Sequence, residues 1–290
     1  MRQLILILVI LGVFSTNATA VNWDGLRVTF GPAPNEVFFA KMPRTANEAA
    51  TEGWYSVSTT CENSGQYAGF RYRLRNDNSI NLLFDRNGII AGIQALLPHD
   101  EIMSPNNRYR YDLVPMFRNE TIAGRPYVVL TAYFVRPDLI CTTGRTVQDF
   151  MNQGTGTGLW FQNGSGPNVL INVPRMRAAA SQLGWTDCEC FPGMGLHNFY
   201  EVHRWHETNC DRVQPTQITF NLDEEMTGFV FQISGPSTAA RFESPPNAAL
   251  YAIIGPERIP QCIIDKNTEF GFSSIHVYMI DQPWTLGCTR

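Results

Sequence analysis

Three of the five histidines in this chain lie within one stretch of ten residues, and they are the strongest candidates for chemistry. They are His197, His203 and His206, with Glu201 between the first two. Imidazole is largely neutral at extracellular pH and is the most common protein ligand for zinc and copper. The cluster therefore predicts a transition-metal site, with copper or zinc held by the three histidines, or a site that transfers protons.

The residues around the cluster indicate how such a site would be mounted. A turn rich in glycine precedes His197 and would present it at a rim. If residues 199–207 form a strand, Glu201 and His203 share one face of it, whereas His206 lies on the other. We therefore expect His197, His203 and Glu201 to act together in catalysis, with Glu201 orienting an imidazole. Histidines clustered on an exposed strand are also common as plain surface residues, and that interpretation stays open.

Seven cysteines follow the first 20 residues, and in an oxidising compartment they predict disulfides. They are Cys61, Cys141, Cys188, Cys190, Cys210, Cys262 and Cys288. Roughly 105 patterns of three bridges and one leftover cysteine are possible, and spacing alone does not choose among them. We expect Cys188 and Cys190 to send two bridges from one strand. The seventh cysteine is either a free thiol or a link between chains, so the protein is a monomer or a disulfide-linked dimer.

The N-terminus has the pattern of a secretory signal peptide. Arg2 precedes an uncharged stretch from Leu4 to Phe14, and small residues follow up to Ala20. A positive start, a short apolar core and a small-residue ending predict cleavage after Ala20. The apolar run is shorter than the roughly 20 residues that a membrane anchor needs. We expect a secreted protein without a membrane span.

Two acceptor motifs for N-linked glycans lie in polar, turn-like surroundings. They are Asn119-Glu120-Thr121 and Asn163-Gly164-Ser165. Such motifs in a secreted chain predict glycans carried on the surface. The sequence therefore indicates a glycoprotein modified at Asn119 and Asn163.

The charge balance excludes one class of partner. Cleavage after Ala20 leaves 270 residues with 21 basic and 26 acidic side chains, a formal net charge of −5. The charges are scattered, and no run of lysine or arginine occurs. Nucleic acids and anionic membranes attract basic patches, so neither is expected as a partner.

The fold class follows from short apolar and β-branched runs separated by turn residues, a pattern typical of antiparallel sheets. The runs are residues 26–30, 36–39, 69–74, 80–84, 89–91, 127–135, 159–161, 228–233, 250–254 and 276–280. Asn87-Gly88 lies between two of them and favours a tight hairpin with two residues of positive φ. We expect a mainly β fold of the α+β type, sandwich-like or built from two packed β units.

Few helices are expected, and domain boundaries are not marked. Thr146 can cap a helix that turns Val147, Phe150 and Met151 inward. Another helix can begin at Pro174. Residues 21–290 are expected to form a single β-rich extracellular unit, with a possible sub-boundary at residues 154–167.

One segment carries a resemblance to known proteins. Cys190-Phe191-Pro192-Gly193-Met194-Gly195-Leu196-His197 resembles a segment in a family of secreted animal proteins of undefined function. A tyrosine usually follows that histidine in the family, whereas this chain has Asn198. The resemblance implies secretion and brings no reaction with it.

These observations favour a secreted, disulfide-stabilised glycoprotein that binds a small apolar or aromatic molecule, with His197 at the mouth of the site. The 34 aromatic residues would suit an apolar pocket. In the enzymatic version the protein is an oxygen-using or metal-assisted oxidoreductase, of which a secreted luciferase would be one case. The alternative is a non-enzymatic recognition or matrix module outside the cell.

Overall fold

The computed structural model describes residues 22–289 apart from Phe30, Pro32, Ser64, Ser104 and Pro105. The predicted signal peptide at residues 1–20 lies outside the described residues.

Fifteen strands of this part form two antiparallel sheets, which confirms the mainly β fold with short helices. The strands are β1 (Arg27–Thr29), β2 (Phe39–Lys41), β3 (Trp54–Ser56), β4 (Phe70–Leu74), β5 (Asp77–Phe84), β6 (Ile90–Pro98), β7 (Arg118–Ile122), β8 (Arg125–Tyr133), β9 (Leu159–Gln162), β10 (Leu170–Val173), β11 (Trp185–Phe191), β12 (Gly195–Tyr200), β13 (Thr216–Phe220), β14 (Met226–Ser234) and β15 (Phe272–Tyr278).

Seven short helices connect the strands of the described part. They are α1 (Ala46–Thr51), α2 (His99–Ile102), α3 (Pro137–Ile140), α4 (Val147–Gln153), α5 (Arg177–Gln182), α6 (Asn247–Ile254) and α7 (Gln261–Glu269). None of these described helices has the length and apolar character needed to cross a membrane.

The two sheets share one hydrophobic core. The seven-stranded sheet has the order β11-β12-β13-β14-β15-β1-β2. The eight-stranded sheet has the order β10-β9-β8-β6-β5-β4-β3, with β7 also paired to β8. Phe161 of β9 contacts Phe229 and Phe231 of β14, with ring centroids 5.4 and 5.9 Å away. Because successive side chains of a strand alternate in direction, the neighbours of these core residues lie on the outer face of each sheet.

The predicted hairpin is present, but its turn differs from the expected one. β5 and β6 pair in antiparallel register. Of the Asn-Gly pair only Gly88 has a positive φ, of 77°. The buried Asp85 side chain holds the turn instead, since its Oδ1 accepts hydrogen bonds from the amides of Asn87 (2.9 Å) and Ile89 (3.0 Å).

Two expected strands are helical. Residues 250–254 lie in α6, where Leu250 and Ile254, four residues apart, are buried on one side. The alanines that precede them in α6 favour a helix, and the burial pattern has the helical period. Residues 36–38 form a 3₁₀ turn capped by Asn35, whose side chain accepts from the amide of Val37.

The helix predicted after Thr146 forms with a reciprocal capping box between Thr146 and Asp149. The expected direction of its apolar side chains is wrong, because Val147 and Met151 are 70 % and 63 % exposed. A helix also forms after Pro174, but it begins later than expected, at Arg177, because β10 extends to Val173.

Residues 154–167 contain strand β9, which lies between β10 and β8 in the eight-stranded sheet, and a tightly packed glycine turn. A side chain at Gly154 would collide with the backbone of Trp23, and one at Gly156 would collide with the backbone of Phe134. These two glycines therefore allow two pieces of backbone to approach closely. The packing joins this stretch to both the N-terminal segment and the end of β8.

Three disulfides form in the described part, Cys61–Cys141, Cys190–Cys288 and Cys210–Cys262. Cys188 is a free, buried thiol. The expectation that Cys188 and Cys190 both form bridges is therefore wrong. The ladder between β11 and β12 shifts register between Asp187 and Cys190, and only Cys190 reaches a partner. Burial raises the pKa of the Cys188 thiol to about 11 and argues against a link between chains through it.

Candidate functional site

The structure does not bring the predicted histidine site together. His197 is fully buried in β12, whereas His203 and His206 are exposed on a 3₁₀ turn, Val202–Thr208. Among the residues that the structure describes, no group of three or more His, Cys, Asp or Glu side chains is arranged to hold a metal ion. The predicted metal set of His197, His203 and His206 therefore does not converge, and His197 does not lie at a rim.

The strand expected at residues 199–207 ends at Tyr200. Glu201 has a left-handed backbone with a φ of 47°, which turns the chain away from the sheet. Val202 and Trp205, three residues apart, are then buried together, and the Trp205 Nε1 donates to the Tyr200 carbonyl at 3.0 Å. This three-residue spacing of apolar side chains was the signal for a 3₁₀ turn in the sequence.

Glu201 does not orient a histidine. Its carboxylate pairs with Arg204 at 3.1 Å on the surface of the same turn. Exposed pairs of this kind contribute little to stability. The expected cooperation of Glu201 with His203 is replaced by this local ion pair.

His197 belongs to the buried outer face of the seven-stranded sheet. Its Nδ1 lies 3.1 Å from the carbonyl oxygen of Gly195. Burial, together with a smaller effect of the nearby His276, lowers the pKa of His197 to about 3. The carbonyls of Gly195 and Glu189 act in the opposite direction, because they favour the protonated ring. The imidazole is therefore neutral at physiological pH and packs as part of the core.

A second histidine, which the sequence did not single out, lies beside it. The ring of His276 in β15 is 6.0 Å from the ring of His197, between centroids, and nearly perpendicular to it. His276 also stacks on Tyr278 at 6.1 Å. The His276 Nδ1 is 3.2 Å from the Glu243 carboxylate, and 6 % of the His276 side chain and 11 % of the Glu243 side chain are exposed.

The backbone fixes Glu243 in this position. The pairing of β1 with β15 ends at Thr29, opposite His276. Beyond that point Glu243 lies beside β15 in place of β1. It exchanges two backbone hydrogen bonds with Ser274, of 2.7 and 2.9 Å. Residues two apart on a strand share a face, so Ser274 and His276 point to the same side.

A cavity of about 280 Å³ lies over this face. Its volume is at the lower end of the roughly 300–1,000 Å³ that is usual for ligand pockets. The lining consists of Gly31, Phe191, Met194, Phe199, Gln217, Gln232, Phe242, Glu243, Ser244, Pro245, Pro246, Ala249, Leu250, Ile253, Ser274 and His276.

The floor of the cavity is polar because the strands present polar residues on their outer face. Strand register places Gln217 of β13, Gln232 of β14 and His276 of β15 on that face. The Gln217 amide donates to the Gln232 side-chain oxygen, which orients both groups.

The opposite wall is apolar. Helix α6 contributes Ala249, Leu250 and Ile253, and the aromatic rings of Phe191 and Phe242 complete the wall. A few polar groups against a mainly apolar surface are the usual composition of a small-molecule site.

Tyr278 supports the loop before β12, which carries Met194 into the cavity wall. The Tyr278 hydroxyl donates to the Met194 carbonyl at 3.2 Å. Burial raises the pKa of Tyr278 well above its usual value, and the negative charge of Glu243 raises it further. The phenol therefore stays protonated and keeps this hydrogen bond.

The two predicted glycan acceptors differ in exposure. Asn119 is exposed on β7, and its Oδ1 lies 2.9 Å from the His99 Nε2. Asn163 follows β9 and is only partly exposed. Modification at either site stays a prediction, and the geometry favours Asn119.

No family model, curated protein or solved structure matches this chain. The resemblance to secreted animal proteins stays a prediction.

Proposed function

We propose that this protein binds a small, mainly apolar or aromatic molecule in the cavity between the outer face of the seven-stranded sheet and helix α6. The observation that supports the proposal is the lining, in which the aromatic rings of Phe191, Phe199 and Phe242 meet a polar strip that includes Gln217 and His276. Burial of apolar ligand surface supplies the affinity, and the few polar groups orient the ligand.

The proposed site of action is outside the cell. Three disulfides fit an oxidising compartment, and the N-terminal pattern predicts export. Sequencing of the secreted protein is expected to begin at Val21, whereas retention of Met1 would contradict the proposed export route.

The binding proposal is tested by filling the cavity. Ala249 of α6 lines it, and Ala248, the preceding residue of the same helix, is exposed and does not. Titration with the uncharged fluorescent probe N-phenyl-1-naphthylamine should show saturable binding to the wild-type protein. The Ala249→Trp variant should weaken that binding by at least about tenfold, since the indole occupies the ligand volume.

The matched control is Ala248→Trp, which adds the same side chain on the solvent side of α6 and should bind the probe as the wild type does. Equal probe binding by both variants, or no saturable binding to the wild type, would contradict the proposal. Either result would favour the alternative of a non-enzymatic recognition or matrix module.

The oxidoreductase version stays a prediction. Its test is the metal content of the purified protein, measured together with turnover of a bound aromatic compound under oxygen. Copper or zinc at one ion per chain, lost together with activity on chelation, would support it. A protein that binds the probe but holds less than stoichiometric metal and shows no turnover would contradict it.

A further inference from the structure

We propose that the ligand of this cavity is a small organic cation, an amine carried on an apolar or aromatic body. This inference rests on the proposed binding function and specifies its ligand class. It comes from a largely buried carboxylate and several aromatic rings that line the same cavity.

The carboxylate of Glu243 is largely buried, and among the described residues no lysine or arginine pairs with it. Only 11 % of its side chain is exposed, and its one ion-pair partner among the described residues is the imidazole of His276. Glu243 and His276 are the only ionisable side chains among the described residues that line the cavity. A carboxylate removed from water is costly unless a positive charge compensates it, and an imidazole is charged only when it is protonated. A cationic ligand would therefore compensate Glu243, whereas a carboxylate ligand would be repelled.

Aromatic rings line the same cavity. Phe191, Phe199 and Phe242 line the cavity together with Glu243. The face of an aromatic ring carries negative potential and attracts ammonium groups, an arrangement that proteins use to bind organic cations. The rings and the carboxylate therefore favour the same charge on the ligand.

The polar floor is compatible with this head group. The Glu243 carboxylate, the amide oxygens of glutamine and the Ser274 hydroxyl can all accept hydrogen bonds. An ammonium group brings three donors and no acceptor. The cavity thus offers acceptors where an amine brings donors.

The experiment compares three compounds that share one body and differ in the head group. They are 2-phenylethylamine, 2-phenylethanol and phenylacetate, each used to displace N-phenyl-1-naphthylamine from the wild-type protein at neutral pH. The amine should displace the probe at about tenfold lower concentration than the alcohol, and phenylacetate should be the weakest. Equal or tighter binding of the alcohol or the acid would overturn the proposal without any variant.

Substitution of Glu243 tests whether this residue causes the preference for the amine over the alcohol. Glu243→Gln removes the charge while its amide oxygen can still accept from His276, so the amine should lose its advantage over the alcohol to within about twofold. Glu243→Asp keeps the charge and should keep the preference. Glu52→Gln, which removes an exposed charge outside the cavity lining, serves as the control and should behave as the wild type. An amine preference that persists in Glu243→Gln would overturn the assignment.

The two proposals fail in different ways. If the uncharged probe does not bind, or if Ala249→Trp does not weaken it, the cavity is not a ligand site and both proposals fall. If the probe binds and Ala249→Trp weakens it while the amine has no advantage, only the organic-cation inference falls.

Discussion

His197 shows how the same residue can serve opposite roles depending on burial. The sequence favoured a ligand at a rim, yet the side chain is fully buried in β12 and its pKa is lowered to about 3 by desolvation. A neutral, buried imidazole is a structural residue whose protonation opposes folding. The lowered pKa of His197 therefore makes the stability of the protein depend on pH.

We expect the free energy of unfolding to fall as the pH decreases from 6.5 towards 3. In the unfolded chain His197 has the ordinary histidine pKa of 6.5, whereas in the folded protein its pKa is about 3. Above pH 6.5 the ring is neutral in both states, so the free energy of unfolding keeps its full value. Below pH 6.5 it decreases on acidification, by up to about 1.4 kcal/mol per pH unit. Urea unfolding at pH 7.0, 5.5 and 4.5 measures this slope.

The His197→Asn variant should show a shallower slope, whatever its stability at pH 7. His203→Gln changes an exposed histidine of the same region and should keep the wild-type slope. An unchanged slope in His197→Asn would mean that other groups carry the acid sensitivity.

Cys188 is the second residue whose chemistry burial decides. Its thiol packs with Phe199 and Leu250, and burial raises its pKa to about 11. The thiolate is the reactive form, so the native protein should not react with iodoacetamide at pH 7.5. Mass spectrometry after denaturation without reductant should find one alkylated cysteine, at position 188. Alkylation of the native protein, or labelling of several cysteines, would contradict the disulfide pattern.

At the scale of elements, helix α6 is the part that turns an open sheet face into a cavity. Its inner side carries Leu250 and Ile254, which pack with Ile263 of α7. The two helices therefore cover the outer face of the seven-stranded sheet as a small satellite core. Without this cover, the polar floor of the cavity would face solvent.

Truncation of Ile254 should test the helical assignment of α6. Ile254→Ala removes a fully buried side chain and should lower the free energy of unfolding by about 2–5 kcal/mol. Tyr251→Ala, three residues earlier and 38 % exposed, is the control and should cost less than about 1 kcal/mol. Chemical denaturation measures both. A strand at residues 250–254 with Leu250 and Ile254 inward would also bury Ala252, which is exposed in the helix, so a large loss of stability in Ala252→Glu would contradict the helix.

At the scale of the whole molecule, the Cys190–Cys288 disulfide connects the C-terminal segment to the wall of the cavity. Leu286 accepts a hydrogen bond from the Gly193 amide at 2.7 Å and packs in the cluster that contains Met194. The disulfide thus restrains Phe191, which follows Cys190 directly, and the loop that carries Met194. Both of these residues line the cavity. The Cys61–Cys141 disulfide packs with a different cluster, on the eight-stranded sheet.

The two disulfides should therefore differ in their effect on binding. Replacing both cysteines of either pair by alanine should lower stability by about 2–5 kcal/mol. Only the loss of Cys190–Cys288 should also weaken binding of N-phenyl-1-naphthylamine, measured at a temperature where both variants are folded. Equal affinities in the two double variants would contradict the role of this disulfide in shaping the cavity.

Local signals in the sequence predicted the parts of the fold that local interactions decide. The mainly β class, the β5–β6 hairpin and the capping box of Thr146 and Asp149 follow from residues close in sequence. The cysteines likewise predicted disulfides, but not their partners, because pairing depends on where the chain returns after 52 to 98 residues. The strand expected at residues 250–254 was wrong because a short apolar run has no clear period.

The candidate site was decided by tertiary structure. Three histidines close in sequence were separated because the left-handed turn at Glu201 ends β12 and leaves His203 exposed. His276 and Glu243 are 33 residues apart and meet because the ladder along β15 passes from β1 to Glu243. The sequence by itself determined the expected compartment, the strand-rich class and the presence of disulfides, since each depends on composition or on neighbouring residues. Strand register and helix packing alone decided which polar groups share a cavity, because those contacts join segments that the sequence keeps far apart.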